Sequence, residues 1–405
     1  MSYYFSGSLS HLLAMVGGLT NGHMLVWFGQ RKITIAVLPL SLISWLGHTY
    51  APNAWFLKAS RALLGFCQGM YFYCAYTFAA EITHPNYRSI LCGMIDCFIQ
   101  LGFLFVFTIG STGLHWRTVA TICGFSSTVV PFIIFIFLHD SPRWLISKNK
   151  YDDAKQALIF YRGDQYDVET ELKHITDQLT SQSGFMTQLK AINDKSILKR
   201  LLILGYFTIS EKFTGNMILV TFAAIIFKSV NPSGNENTST IMIGLVKVAS
   251  VFIYAYLSTR IGRKIFITIP LLGCGLFMLG LSAFTYFEET GSDITAINWL
   301  PIVLIMMFIS FTCLGTPAIN LYRSEILPNN VRNVALSYLS VIHYLSQFLI
   351  LYYFNTMTYH IRFYGCFALF GVNCLIMSIV AQIVLPETKG KSLEEIDDYF
   401  RGIHH

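Results

Sequence analysis

Apolar residues run along this chain in stretches of about twenty, each closed by a short polar knot. The stretches fall at 5–27, 33–51, 54–80, 88–112, 118–138, 200–228, 239–259, 265–286, 298–322, 333–357 and 362–385. Each is long enough to cross a hydrocarbon layer of ~30 Å as a helix. Lipid offers no partner to a backbone N–H or C=O, so segments of this kind must satisfy themselves as helices. One long polar interval, 139–199, separates the fifth stretch from the sixth. Within it, YDDAKQALIFYRG and VETELKHITDQL carry apolar residues at helical spacing among charges, which predicts two short amphipathic helices. The pattern as a whole predicts an all-α, multi-pass membrane protein with eleven spans.

Composition sharpens this reading. The chain is 54% hydrophobic and 12% charged, whereas soluble domains carry about 25% charged residues. The cations then set an orientation. With the 28–32 connection on the cytosolic side, 21 of the 28 Lys and Arg residues fall in cytosolic segments and three in exterior loops. Short cytosolic loops favour Lys and Arg, so this orientation is the expected one. Lys58, Arg61, Lys212 and Lys247 are left inside spans. The basic residues of 139–199 are interleaved with acids, which argues against a nucleic-acid partner. All nine cysteines lie in apolar segments without a CxxC pair, and no histidine has metal-ligand spacing, so no metal or other cofactor is expected. No paired nucleophile and base marks an enzyme. No phosphate-cradling loop of the P-loop type is present, so transport, if any, is secondary rather than ATP-driven.

The polar knots repeat. EITHPNYR (Glu81 to Arg88) and EILPNNVR (Glu325 to Arg332) each follow one span and precede another, offset by 244 residues. Pro142 of SPRW and Pro386 of LPETKG, both at span ends, share that offset. The glycines of FGQRK and RIGRK, Gly29 and Gly262, are offset by 233. Matched landmarks at matched places predict two homologous halves. The second half carries two spans before its RIGRK and the first only one before FGQRK, so the repeat expects one further span ahead of Met1, twelve in all. The expected organisation is a first half at 1–138 (equivalent to helices two to six), a cytosolic loop with short helices at 139–199, a six-helix second half at 200–385, and a cytosolic tail at 386–405.

These motifs resemble the major facilitator superfamily, near its sugar-porter and organic-ion branches. FGQRK and RIGRK are similar to its Asp-Arg-x-Gly-Arg loop, DSPRWL to its Glu-Ser-Pro-Arg-Trp-Leu, and LPETKGKSLEEI to the sugar-porter Pro-Glu-Thr-Lys-Gly tail. KFTGN resembles part of the Gln-Gln-x-Ser/Thr-Gly-x-Asn run of the seventh helix, while EITHPNYR is nearer the organic-cation form. The resemblance implies two pseudo-symmetric helical bundles that close alternately over a central site. It implies gating by Gly29, Arg31, Glu81, Arg88, Arg260, Gly262, Arg263, Glu325 and Arg332, with Lys264 beside them; the competing reading is that these cations only anchor topology.

The chain also departs from the family. Val26 and Thr259 stand where the loop motif has Asp, and Trp27 where it has Arg. Glu211 and Lys212 replace the paired glutamines, and Asn320 stands at the usual tenth-helix Trp. Charge inside a span costs ~3 kcal/mol on insertion scales, so it marks function. Asp96 and Gln100 lie four apart on one helical face. The expected substrate contacts are Asp96, Gln100, Glu211, Lys212, Thr214, Asn216, Lys247 and Asn320, with Asp96 pairing either Lys212 or Lys247 across the halves, or else the lysines snorkelling or pairing structurally within one half. Arg61 resembles the arginine that proton-coupled porters pair with a first-helix Asp, and is the expected coupling residue. The expectation is a monomeric plasma-membrane transporter of a small organic solute, sugar-like or an organic ion, with proton coupling left open. The departures tilt it toward an organic ion or a non-hexose polyol. The alternative is a non-transporting receptor or scaffold, or a truncated inactive transporter.

Overall fold

The computed structural model describes residues 2–83, 88–163, 166–180, 194–220, 236–258, 260–291, 297, 299–327, 331–389 and 400; the side chains of some helix residues, Arg88, Glu325 and Arg332 among them, lie outside the description. Thirteen helices and no strand occur among the described residues. They are α1 (Ser2–Phe28), α2 (Gln30–Thr49), α3 (Ala54–Ile82), α4 (Arg88–Gly110), α5 (Trp116–Phe137), α6 (Pro142–Ser147), α7 (Tyr151–Arg162), α8 (Val168–Thr180), α9 (Lys195–Lys212), α10 (Glu236–Leu257), α11 (Arg263–Glu289), α12 (Leu300–Ile326) and α13 (Arg332–Val384). Each expected apolar stretch overlaps a helix among the described residues, with 221–228 of the sixth outside the description. Among the described residues, six helices pass a strict test of length and apolarity for spanning: α2, α5, α10, α11, α12 and α13. Helix α13 has 53 residues and would run about 80 Å if straight. It breaks at Arg362, where φ is 58° and ψ is −179°, between the tenth and eleventh expected spans, so it crosses twice.

The chain divides into two compact units. The first comprises Met1–Ile95, His115–Leu198 and Leu327–Phe348; the second comprises Asp96–Leu114, Lys199–Ile326 and Leu349–His405. In the first unit, α3 packs along α1 and α2, and α2 along α5. Lipid gives no hydrophobic drive for helices to associate, so packing rests on close approach, and small residues allow it. Gly17, Gly65 and Gly69 line the α1–α3 contact against bare backbone: a Cβ on Gly69 would lie 2.1 Å from the Ala14 carbonyl oxygen. Helices α6 to α8 bury a small core of their own, with Leu145, Ile146, Ala157, Leu158 and Ile175 inside. In the second unit, α12 packs on α10 and α11 around a larger core that includes Ile243, Met278, Phe308, Phe354 and Phe370.

Local chemistry ends these helices as expected. Asn53 caps α3, accepting from the Phe56 N–H at 2.9 Å. Asp167 precedes α8 and accepts from the Thr170 N–H at 3.2 Å and the Thr170 hydroxyl at 2.5 Å. Those two bonds favour the ionised form and hold the Asp167 carboxyl below its usual range. A depressed carboxyl stabilises above its unfolded pKa of about 4 and loses that effect as pH falls through the folded value. Protection factors of the amides at the start of α8 are therefore expected to fall below about pH 4, and at pH 7 in Asp167→Ala; unchanged protection in the variant would deny the cap its role.

Candidate functional site

The second unit holds a charged network at a break in its first membrane helix. Helix α9 ends at Lys212, and the backbone turns at Gly215 with φ +85° before helix resumes at 216. Only glycine fits there: the φ is left-handed, and a Cβ would meet Met278 at 2.6 Å and Phe370 at 2.7 Å. The Thr214 hydroxyl donates to the Glu211 carbonyl at 2.8 Å, and the Asn216 N–H donates to the Thr214 hydroxyl at 3.5 Å. Beside this turn, the Glu211 carboxylate accepts from Lys212 Nζ at 3.0 Å and from Arg323 Nη2 at 2.5 Å. Arg323 also donates to Asn320 Oδ1 at 3.0 Å, one turn back on α12. Glu211, Lys212, Thr214, Asn216 and Asn320 are thus brought together, in one unit, as the sequence proposed.

Arg323 is the member that sequence reading assigned to a loop. It is 4% exposed and ties α12 to α9. Its signal was its place three residues after Asn320 on a helix that runs on to Ile326.

The remaining candidates of the second unit stand apart from this network. Asp96 and Lys247 are both buried, at 7% and 4% exposure. Lys247 on α10 lies with its ammonium 4.1 Å from the Phe103 ring centre on α4. The Gln100 Oε1 atom is buried without a hydrogen-bond partner. The pairing of Asp96 with Lys212 or Lys247 is not made among the described residues: Lys212 is held by Glu211, and no carboxylate stands within ion-pair distance of Lys247. Adjacent residues point ~100° apart within a helix, but this helix ends right after Glu211 and Lys212, and the two pair with each other.

In the first unit, Arg61 donates from Nε to His48 Nε2 at 3.3 Å. His48 is a neighbour that sequence reading did not name, since nothing along the chain links α2 to the middle of α3.

The gate motifs form one cluster within each unit. In the first, Gly29 has φ +78°, and the Trp144 ring of SPRW occupies the space a Cβ would take, at 2.8 Å. Arg31 closes the end of α5, donating to the Phe135 and Ile136 carbonyls at 3.0 and 2.9 Å, with Asp140 at 3.9 Å. The Ser141 hydroxyl donates to Glu81 Oε2 at 2.5 Å. Arg162 donates to the Ile82 carbonyl at 2.6 Å and pairs with Glu171 at 3.0 Å, fastening α7 and α8 to the end of α3.

In the second unit, Glu387 of PETK sits against Gly262, where a Cβ would lie 2.4 Å from its carboxylate. It accepts from the Arg263 and Lys264 backbone N–H groups at 2.9 and 3.2 Å. A carboxylate at a helix N-terminus meets orphan donors and the positive end of the dipole. The backbone donors of Arg263 and Lys264 thus hold the Glu387 carboxylate. Arg260 stacks on Tyr256, 4.8 Å from the ring centre. Arg88, Glu325 and Arg332 have side chains outside the described residues.

Comparison with known proteins follows the same lines. Residues 4–400 match the family model described as sugar (and other) transporter. The facilitated trehalose transporter Tret1 of Polypedilum vanderplanki is 30% identical over 404 residues, covering 98% of this chain and 79% of that protein. Its namesake in Anopheles gambiae is 30% identical over 400 residues, and there this chain spans 50% of the relative's length. Among solved structures, the proton:xylose symporter XylE bound to 6-bromo-6-deoxy-D-glucose matches with a TM-score of 0.82 at 18% identity, covering 98% of this chain and 89% of that one. An inward-open form of XylE from E. coli matches with a TM-score of 0.77 at 18% identity.

Proposed function

Because this chain belongs to the sugar (and other) transporter family, within the major facilitator superfamily, and is a multi-pass membrane transporter rather than an enzyme, we propose that it carries a sugar through the second-unit network. Transport is secondary, by alternating access. The family moves the balance from organic ions to sugars. The single observation that carries the site is the charged set Glu211, Lys212 and Arg323 beside the helix break at Gly215. Charge is kept inside a span only where it works, and a discontinuous helix is where transporters of this kind expose backbone and side chains to solute.

Asp96, Gln100, Thr214, Asn216, Lys247 and Asn320 complete the proposed substrate contacts. The alternating bodies are taken as residues 1–138 and 200–385, with 139–199 and 386–405 on the cytosolic side. Gly29, Arg31, Glu81, Arg88, Arg260, Gly262, Arg263, Glu325 and Arg332 are the gate positions. In support, each glycine loop is held by the motif that follows its half: SPRW at Gly29 and PETK at Gly262. Arg61, held by His48, is the proposed coupling position. The chain acts as a monomer in the plasma membrane.

Uptake of radiolabelled trehalose and glucose into proteoliposomes, with and without an imposed proton gradient, tests this reading. Saturable uptake accelerated by sugar on the far side is expected. Uptake of neither these nor an acidic sugar beyond that of protein-free liposomes would remove it and favour a receptor.

A further inference from the structure

We infer that the sugar carried by this chain is acidic, a hexuronate-type anion whose carboxylate seats on Lys247. The inference rests on the transport reading above and narrows its substrate class. Lys247 is 4% exposed on a membrane helix, where an ammonium group needs a partner. Among the described residues, the one contact its charge makes is with the face of Phe103, at 4.1 Å. A ring face covers one side of an ammonium and accepts none of its three N–H bonds in a directed way.

The neighbours do not fill the deficit. The Ser250 hydroxyl is spent on the Val246 carbonyl at 2.7 Å. The Cys313 thiol faces the lysine but, being neutral at pH 7, carries no charge to balance it. Asp96 lies seven residues before Phe103 on α4, roughly 10 Å along the axis, and makes no ion pair with Lys247 among the described residues. Glu211 is already shared by Lys212 and Arg323. One turn before Phe103 on α4, Gln100 has a buried Oε1 with no donor among the described residues. This pair of unmet needs, both beside Phe103 or one turn from it, defines a ligand: an anionic oxygen for Lys247 and a hydroxyl that donates to Gln100. A neutral sugar leaves the lysine uncompensated, and an inorganic anion without a hydroxyl, such as chloride, leaves Gln100 unfilled. A sugar carboxylate meets both.

The test is uptake of radiolabelled D-glucuronate, D-glucose and trehalose by the full chain in proteoliposomes. The native chain is expected to prefer glucuronate. Lys247→Met is expected to lower the glucuronate-to-glucose ratio of kcat/KM by about a hundredfold, the effect of losing a buried charge partner, with Lys247→Arg intermediate. Gln100→Leu, which leaves the charge in place, is expected to weaken glucuronate about tenfold and keeps the test sharp if the lysine variants do not fold. A native chain that moves glucose or trehalose but not glucuronate overturns the inference while sparing the transport reading. So does an unchanged ratio in Lys247→Met. Movement of none of the three sugars overturns both.

Discussion

Glu211→Gln is expected to cost this protein its folded state, beyond any loss of transport. Glu211 is the carboxylate shared by two buried cations, Lys212 at 3.0 Å and Arg323 at 2.5 Å, whose side chains are 11% and 5% exposed. Removing one partner of a buried pair costs about 3–5 kcal/mol, because the charge left behind is uncompensated. Here two are left behind, against a total stability that is commonly 5–15 kcal/mol. The expected result is a collapsed monodisperse peak on detergent size-exclusion and a Tm lower by many degrees. The same physics predicts a rescue. A buried ion pair replaced on both sides by groups of similar shape is often neutral or stabilising, so Glu211→Gln with Arg323→Met should fold better than Glu211→Gln alone. A thermal double-mutant cycle measures that coupling. If Glu211→Gln melts where the native chain does, the network is solvated and the site is misassigned.

The network also shows how far the sequence could be read. Spans were legible because the bilayer imposes one length and one polarity on every crossing, whatever the neighbours. The break at Arg362, between stretches ending at 357 and beginning at 362, and the amphipathic helices α7 and α8 followed from the same periodicity. The gate motifs were legible as paired strings, so the contacts Gly29–Trp144 and Gly262–Glu387 fell between residues already singled out, though which atoms of Arg263 hold the acid was not. Partners across helices were another matter. Arg323 pairs with Glu211, 112 residues away, and looked like a loop cation because apolarity fades near the end of a span, before the helix itself ends. His48 beneath Arg61, and Ile82 beneath Arg162, are likewise set by packing that no spacing along the chain encodes.

Packing at its tightest carries the other large effect. Gly65→Leu and Gly69→Leu are each expected to prevent assembly of the first unit. A Cβ on Gly65 would lie 1.9 Å from the Ser10 carbonyl oxygen, one on Gly69 2.1 Å from that of Ala14, and one on Gly17 2.2 Å from that of Phe66. These neighbours are backbone, so no rotamer can give way; α1 and α3 must separate along their length. Overpacking a well-filled site typically costs 1–3 kcal/mol per position, or more, and separation also forfeits the dispersion contacts that hold membrane helices together. Alanine poses a finer question, since it favours helix over glycine by about 1 kcal/mol. At Gly69 the clash should win, leaving Gly69→Ala less stable than native. At Gly102 and Gly110, where nothing lies within 4 Å of the added Cβ, the propensity term acts alone, and alanine should be neutral or mildly stabilising. Thermal melts of the three alanine variants in one detergent separate these cases. If Gly69→Ala melts above the native chain while Gly102→Ala does not, close backbone approach is not what joins α1 to α3.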